Sequence, residues 1–160
     1  MGLDMYLYSN SRALTQKVHE GEPYGEYITE FYRKTGVCMY WRKVNCVHRW
    51  FVENVQDGHD DCGYYDVDWE MLAKLRDVCR KVSDSHSVSV ANELLPPQRG
   101  FFFGSDAIDD WYWVDVKWTA DELDRILGML VDEPEPSFYT YKVMPEEPDW
   151  CLSFTYHSSW

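Results

Sequence analysis

The chain has 160 residues, of which 45% are hydrophobic and 17% aromatic, and its formal net charge at pH 7 is −13. This length predicts a single globular domain, residues 1–160, which can bury about two-thirds of its unfolded surface. The negative charge repels nucleic-acid phosphates and anionic lipids, so we expect no direct binding to nucleic acid or a membrane. It favours either solubility or a partner with a basic surface.

The first elements along the chain are a strand, a polar loop, and a second strand that leads into a helix. Leu3 to Tyr8 alternates between apolar and polar positions, which is typical of a half-buried strand. Residues 9–36 are polar and interrupted by glycine and proline, which indicates a loop with a helical turn around Tyr27 to Arg33. The stretch from Val37 to Gln56 then predicts a short strand turning into an amphipathic helix, around which we expect the chain to be organised.

The middle of the chain predicts a second helix between two irregular connections. Residues 56–68 are rich in turn-forming residues and end in Asp68, a favourable N-cap. The apolar spacing from Trp69 to Val82 predicts the second helix. Residues 83–98, rich first in serine and then in proline, indicate another connection.

The last third of the chain predicts strands on either side of a third helix. Phe101 to Phe103 indicates a buried strand, and the aromatic run from Trp111 to Trp118 indicates a further one. Thr119 to Glu122 has the sequence of a capping box, which predicts that the third helix begins there. Ser137 to Val143 and Cys151 to Tyr156 predict the two strands of a closing hairpin.

These elements together predict the class and layering of the fold. We expect an α+β protein with three main helices packed on one face of a mostly antiparallel sheet of about five strands. The first and last strands are expected to pair at the centre of that sheet.

Four blocks of sequence, spread over most of the chain, are distinctive when taken together. The chain opens with GLDMYLY and ends with SSW, and its middle contains YWRKVNCVHRWFVENVQ and LLPPQRGFFFGS. In combination these blocks resemble a family of small proteins encoded by bacteriophages and prophages. The resemblance implies a bacterial cytoplasm during infection or lysogeny as the setting, and it carries over no catalytic residue.

Two polar side chains of the helix predicted after Val37 point toward the core, His48 from inside the apolar face and Asn45 from its edge. Asn45 and His48 are three residues apart and therefore neighbours on the helix surface. With Trp41 they can form a pocket for a polar ligand group, in which His48 is the general base. The alternative is that both side chains form hydrogen bonds inside the core. A closed apolar surround for His48 would favour this alternative, and an open pocket would favour ligand binding.

An acidic and aromatic cluster precedes the predicted third helix. Its members are Asp109, Asp110, Trp111, Trp113 and Asp115. Carboxylates mixed with tryptophans suit an interface with Lys and Arg side chains, through charge and cation–π contacts. The alternative is an ordinary solvated edge.

The cysteine and histidine spacings predict neither a disulfide framework nor a metal site. The five cysteines are odd in number and scattered, which favours free thiols in a reducing cytosol; they are Cys38, Cys46, Cys62, Cys79 and Cys151. His59 to Cys62 contains metal-ligand residue types, but without zinc or calcium spacing. We expect no metal and no cofactor.

These observations favour a binding protein over an enzyme. The leading hypothesis is an acidic phage-derived protein that occupies a host protein in the bacterial cytoplasm, for example as an inhibitor of a defence system. One alternative is a small ligand-binding protein or hydrolase that uses Trp41, Asn45 and His48. Another is an accessory component of the virion or the replication machinery. The sequence leaves the oligomeric state open.

Overall fold

The structure, a computed structural model, describes residues 2–20, 26–132, 139–141 and 153–160. Within these ranges the chain forms six strands and six helices, and the predicted α+β class is confirmed. The strands are β1 (Asp4–Ser9), β2 (Val37–Arg42), β3 (Tyr64–Val67), β4 (Leu130–Asp132), β5 (Tyr139–Tyr141) and β6 (Phe154–Ser159). The helices are α1 (Arg12–Val18), α2 (Glu26–Thr35), α3 (Asn45–Asn54), α4 (Trp69–Ser85), α5 (Val88–Leu94) and α6 (Asp110–Leu127).

The main sheet has four antiparallel strands in the order β2-β1-β6-β3. The predicted pairing of the first and last strands at its centre is confirmed, with Met5 opposite Ser158 and Leu7 opposite Tyr156. Strands β4 and β5 form a separate antiparallel pair. Because β6 joins β1 to β3, the main sheet is complete only when the C-terminal strand has docked.

The inner face of the sheet carries the hydrophobic core. Strand β1 alternates as predicted, with Leu3, Met5 and Leu7 fully buried. Helix α3 packs on this face, where the rings of Phe51 and Tyr156 stack with centroids 3.8 Å apart. The prediction of a strand and an amphipathic helix between Val37 and Gln56 is therefore confirmed.

Helices α4 and α6 form the second part of the core by packing against each other. Each begins at an aspartate whose carboxylate accepts a hydrogen bond from a backbone amide three residues later. Asp68 accepts from Met71 at 2.7 Å, as the sequence predicts, and Asp109 accepts from Tyr112 at 3.1 Å. These caps fix where both helices start.

The predictions of a strand from Trp111 to Trp118 and of a helix start at Thr119 are both wrong. Both segments belong to α6, and Thr119 lies in the interior of the helix. Its hydroxyl donates to the Asp115 carbonyl at 2.8 Å and accepts from the Trp41 indole at 2.9 Å. The aromatic run favours a strand by local propensity, but packing against α4 selects the helix.

Three other predictions of irregular or extended structure also require correction. Phe101 to Phe103 is a turn, in which Phe103 is buried and Phe101 is 95% exposed. The region 9–36, predicted as a loop with a helical turn around Tyr27 to Arg33, contains α1 and α2, so the helical turn is confirmed within α2 and the remainder is corrected. Helix α5 lies within 83–98. Ser11 and Ser87 accept hydrogen bonds from the first turns of α1 and α5, so serines that indicate loops by composition act here as helix caps.

The strands and helices also differ from the prediction in number and pairing. Strand β3 lies in the turn-rich connection, the main sheet has four strands rather than about five, and six helices are described rather than three. The predicted closing hairpin is wrong, since β5 pairs with β4 while β6 pairs with β1 and β3. Its connecting loop lies outside the described residues.

The outer face of the sheet carries a row of aromatic rings that crosses all four strands. From Tyr40 through Tyr6 and His157 to Tyr64, successive ring centroids are 5.4, 6.1 and 4.0 Å apart. Burial, followed by the hydrogen bond to Asp4, raises the pKa of Tyr40 to about 12. This hydroxyl therefore stays protonated near neutral pH.

None of the helices in the described ranges is long and apolar enough to cross a lipid bilayer.

Candidate functional site

Trp41, Asn45 and His48, the predicted pocket residues, all lie in the core. Their exposed fractions are 2%, 5% and 0%. The Trp41 ring packs edge-on against Phe51 and Trp118, and its indole N–H donates a hydrogen bond to the Thr119 hydroxyl. Each of the three side chains makes its polar contacts with other residues of the protein, so the structure does not bring them together around an open pocket.

Asn45 holds the loop that follows α5 against the start of α3. Its amide nitrogen donates to the carbonyl oxygens of Phe103 and Ser105, both at 2.9 Å. Its amide oxygen accepts from the backbone N–H of Gln98 at 2.9 Å. The side chain therefore links two ends of one loop and has a positioning role.

His48 joins the C-terminal strand to the loop after α3. Its Nε2 lies 3.0 Å from the Asp60 carboxylate and its Nδ1 lies 2.7 Å from the Tyr156 hydroxyl. Because a carboxylate only accepts, the neutral ring carries its proton on Nε2, and Nδ1 accepts from Tyr156. Both ring nitrogens are thus occupied inside the core, with no room for a substrate.

Asp60 is the partly exposed end of this network. Its carboxylate also accepts from the Trp160 indole at 3.1 Å. Burial acts to raise the pKa of Asp60, but the interactions with His48 and Trp160 outweigh it and lower the pKa below its usual value. Asp60 is therefore ionised at neutral pH and holds the Trp160 side chain in place.

The acidic and aromatic residues predicted to bind a partner lie at the start of α6, on two sides of the helix. Trp111 is 74% exposed, and Asp109 and Asp110 are exposed beside it. Trp113 is half-buried and stacks on His86 with ring centroids 4.2 Å apart. Trp111 therefore belongs to the open surface, whereas Trp113 packs within the protein.

Helix α6 has a second apolar face, which points to solvent. Trp111, Val114 and Trp118 follow the i, i+3, i+7 spacing of one helix face and are 74%, 56% and 36% exposed. We call these three residues the exposed stripe. Val114 and Trp118 were not recognised from the sequence because the aromatic run was assigned to a strand, although their spacing from Trp111 is a helical signal.

A groove of about 320 Å³ lies beside the exposed stripe. It is formed by the turn between β2 and α3, the loop at residues 104–107, and the first two turns of α6. Arg42 and Lys43 line it from the turn, and Asp109 and Asp115 line it from α6. The groove therefore has cationic and anionic side chains on elements that are distant in sequence. Of this lining, the acidic side and Asn45 were predicted from the sequence, whereas the cationic side was not.

Asp115 is the most unusual group in this groove. It is half-buried, and its carboxylate has no hydrogen bond or ion pair to any of the described residues. Burial, and then the negative charge of Asp109, raise the pKa of Asp115 to about 6. An ionised carboxylate in this environment is destabilising without a cation beside it.

Asp115→Asn is therefore expected to stabilise the protein at pH 7. The folded-state pKa of about 6 exceeds the ordinary value of 3.8, so ionisation of Asp115 opposes folding as the pH rises through this interval. After allowance for partial exposure, we expect the free energy of unfolding to increase by about 1 kcal/mol. Urea denaturation at several pH values measures this, with the gain disappearing below the ordinary pKa. Asp110→Asn, an exposed change on the same helix, is the control, and equal effects of both variants would contradict the assignment.

The loop from His59 to Cys62 places its side chains in different directions. Asp60 contacts His48, whereas Asp61 accepts a hydrogen bond from the Tyr65 hydroxyl. Among the described residues, no three His, Cys, Asp or Glu side chains converge as metal ligands. The four cysteines that the structure describes are free thiols, and Cys151 lies outside the described residues.

Comparison of the chain with known proteins found no relative. No family model matches the chain, and neither the curated proteins nor the solved structures gave a match. The exposed stripe and the groove are therefore the observations on which a function can be based.

Proposed function

We propose that this is a non-enzymatic binding protein of phage origin, which occupies a basic surface of a host protein in the bacterial cytoplasm. Inhibition of a defence system is one activity of this kind. The observation that supports the proposal is the exposed stripe of α6, flanked by carboxylates that the protein's own cations do not neutralise.

The apolar part of this surface is suited to anchoring a protein partner. Trp111 exposes most of a large ring, and Val114 and Trp118 extend the same face of the helix. Apolar patches rimmed by polar residues commonly mark interaction sites, and tryptophan is enriched among the residues that dominate binding energy. We therefore assign the anchor to Trp111 and not to Trp113.

The charged part of this surface favours a basic partner. Asp109 and Asp110 are exposed and have no ion pair to a described residue. The cations further along α6 already have partners, since Lys117 pairs with Asp121 at 2.7 Å and Arg125 pairs with Glu122. Lys and Arg side chains on the partner would supply the missing positive charge.

The enclosure of His48 supports binding over hydrolysis. A general base needs a ring nitrogen within reach of a substrate proton. Both nitrogens of His48 instead bond to Tyr156 and Asp60, and the ring is fully buried.

Capture of proteins from host lysate tests the proposal. Immobilised wild-type protein is expected to retain a host protein with a basic surface, identified by mass spectrometry, and Trp111→Ala is expected to lose it because the anchor is removed. Phe101→Ala is the matched control, since Phe101 is 95% exposed and lies outside the stripe and the groove. Retention of the same proteins by all three forms would show that the stripe is not the interface.

A further inference from the structure

We propose that the groove beside the exposed stripe binds a residue that carries both a cationic side chain and a free carboxylate. The cation would lie against Asp115 and Asp109, and the carboxylate against Lys43. This inference rests on the proposed function, and it names the part of the partner that the groove receives: a carboxy-terminal arginine or lysine.

The arrangement of charges around the groove is the first observation. Arg42 ends β2 and Lys43 begins the turn before α3, whereas Asp109 is the N-cap of α6 and Asp115 lies in its second turn. Neither Lys43 nor Asp115 has an ion pair to a described residue, so the two sides do not neutralise each other. Arg42 lies on the same side as Lys43, but its charge is paired with Asp4 at 2.6 Å, so Lys43 is the cation of this side that a ligand can meet. A ligand with one charge of each sign satisfies both sides.

The shape and lining of the groove are the second observation. Its volume of about 320 Å³ lies at the lower end of the range for ligand pockets. Val44, Cys46 and Tyr112 provide apolar surface for the aliphatic stem of a lysine or arginine. The exposed ring of Trp111, which also lines the groove, can stack on a guanidinium group.

The environment of Asp115 supports the same assignment. Burial and Asp109 hold the pKa of Asp115 at about 6 in the free protein, and a cation beside it would bring that pKa down. Ligand binding would therefore relieve a carboxylate that is unfavourably placed when the groove is empty. Lys43, on the opposite side, is the charge that would hold the carboxylate of the ligand.

Lys43 is seated closely within its turn, and the end of its side chain lies beside Gly2, where an added Cβ would be 2.5 Å from Lys43 Cε. The Lys43 backbone has a φ of 55°, and its N–H donates to the Leu3 carbonyl at 2.8 Å. A Cβ placed on Gly104 would lie 3.3 Å from the side chain of Lys43, so the glycine leaves room for the lysine stem. The turn thus fixes where the stem of Lys43 enters the groove.

The test uses NMR of the ¹⁵N-labelled full chain, with the Trp111 indole resonance assigned through Trp111→Phe. The probes are acetyl-glycyl-arginine, its carboxy-terminal amide, and free arginine, each at matched ionic strength. We expect the acid peptide to shift the Trp111 resonance and to bind about tenfold more tightly than the amide, because the amide lacks the charged group for Lys43. Tighter binding of the peptide than of free arginine identifies a chain terminus as the occupant, and the reverse identifies a free amino acid.

Two variants separate the two halves of the groove. Asp115→Asn is expected to abolish the shift for every probe, and its expected stabilisation excludes unfolding as the cause. Lys43→Met keeps the stem and removes the charge, so the acid and the amide should then bind equally. No shift at millimolar probe, or equal affinities of acid and amide for the wild type, would overturn the inference. If that happened while Trp111→Ala still lost the host protein, the proposed function would stand without this groove.

Discussion

His48→Ala is expected to lower the free energy of unfolding by about 3 kcal/mol. The ring is fully buried, so its removal leaves a hole between α3 and β6. The Tyr156 hydroxyl, which is also fully buried, loses its acceptor, and Asp60 loses a donor. An unsatisfied buried polar group and a cavity both destabilise the fold, and here they arise together.

Urea denaturation followed by circular dichroism measures this loss, and His59→Ala provides the matched control. His59 lies in the adjacent loop and is exposed, so its removal should change stability by less than about 0.5 kcal/mol. Tyr156→Phe removes the hydroxyl that donates to His48. The double variant should lose less free energy of unfolding than the sum of the losses in the two single variants. A His48→Ala protein as stable as its parent but unable to bind the host protein would instead restore the ligand-pocket hypothesis.

The acid dependence of stability gives a second measure of the same network. The pKa of Asp60 is lowered in the folded state, so its ionised form contributes stability above its ordinary pKa of 3.8. This contribution is lost as the pH falls through the lower, folded-state value. Since His48 is a main cause of the lowering, stability of His48→Ala should fall less steeply with acid in that interval.

The parts of the fold that could be predicted are those in which one local pattern is unopposed. Strand β1 alternates strictly, and the stretch from Val37 to Gln56 changes from a strand pattern to a helical one without interruption. Asp68 precedes an apolar helical repeat and caps it. In these segments propensity, periodicity and burial agree, so the sequence alone indicates the element.

The errors occur where a local preference competes with a contact that is distant in sequence. The aromatic residues from Trp111 to Trp118 favour a strand, but Tyr112 and Val116 bury themselves against α4 as a helical face. Thr119 and Glu122 have the spacing of a capping box, yet the hydroxyl of Thr119 bonds to Trp41 and Asp115 within the helix. No neighbouring residue in the sequence reveals either contact.

The candidate site was predicted in part for the same reason. Asp109, Trp111 and Asp115 are close in sequence, and their combination of charge and aromaticity is visible without a structure. Lys43 joins them only because residues 104–107 and the start of α6 fold against the turn after β2. The sequence places Asn45 beside His48 but does not show that it holds residues 98–105, which form part of that arrangement.

Once the host partner is purified, Trp111→Ala is expected to accelerate its dissociation by about 30-fold, equivalent to roughly 2 kcal/mol. Loss of a desolvated anchor removes contacts that exist only in the complex, so it acts mainly on the dissociation rate. Phe101→Ala should leave both rates unchanged, because it removes an exposed aromatic ring that lies outside the stripe. Surface plasmon resonance measures both rates directly.

Replacement of Asp109, Asp110 and Asp115 by asparagine is expected to lower the association rate constant. These carboxylates attract a basic partner before contact, so their loss should slow association and flatten its dependence on salt. In the wild type the association rate should fall as salt rises, since charges are screened over about 10 Å at 0.1 M ionic strength. The salt dependence of the association rate thus reports encounter, and Trp111→Ala reports residence. Asp109 and Asp115 also contact the cation of the proposed groove ligand, so their replacement should speed dissociation as well. An association rate that does not change with salt would show that the interface lies on another face and that the acidic surface serves only solubility. Unchanged rates in both the Trp111 and the asparagine variants would show the same.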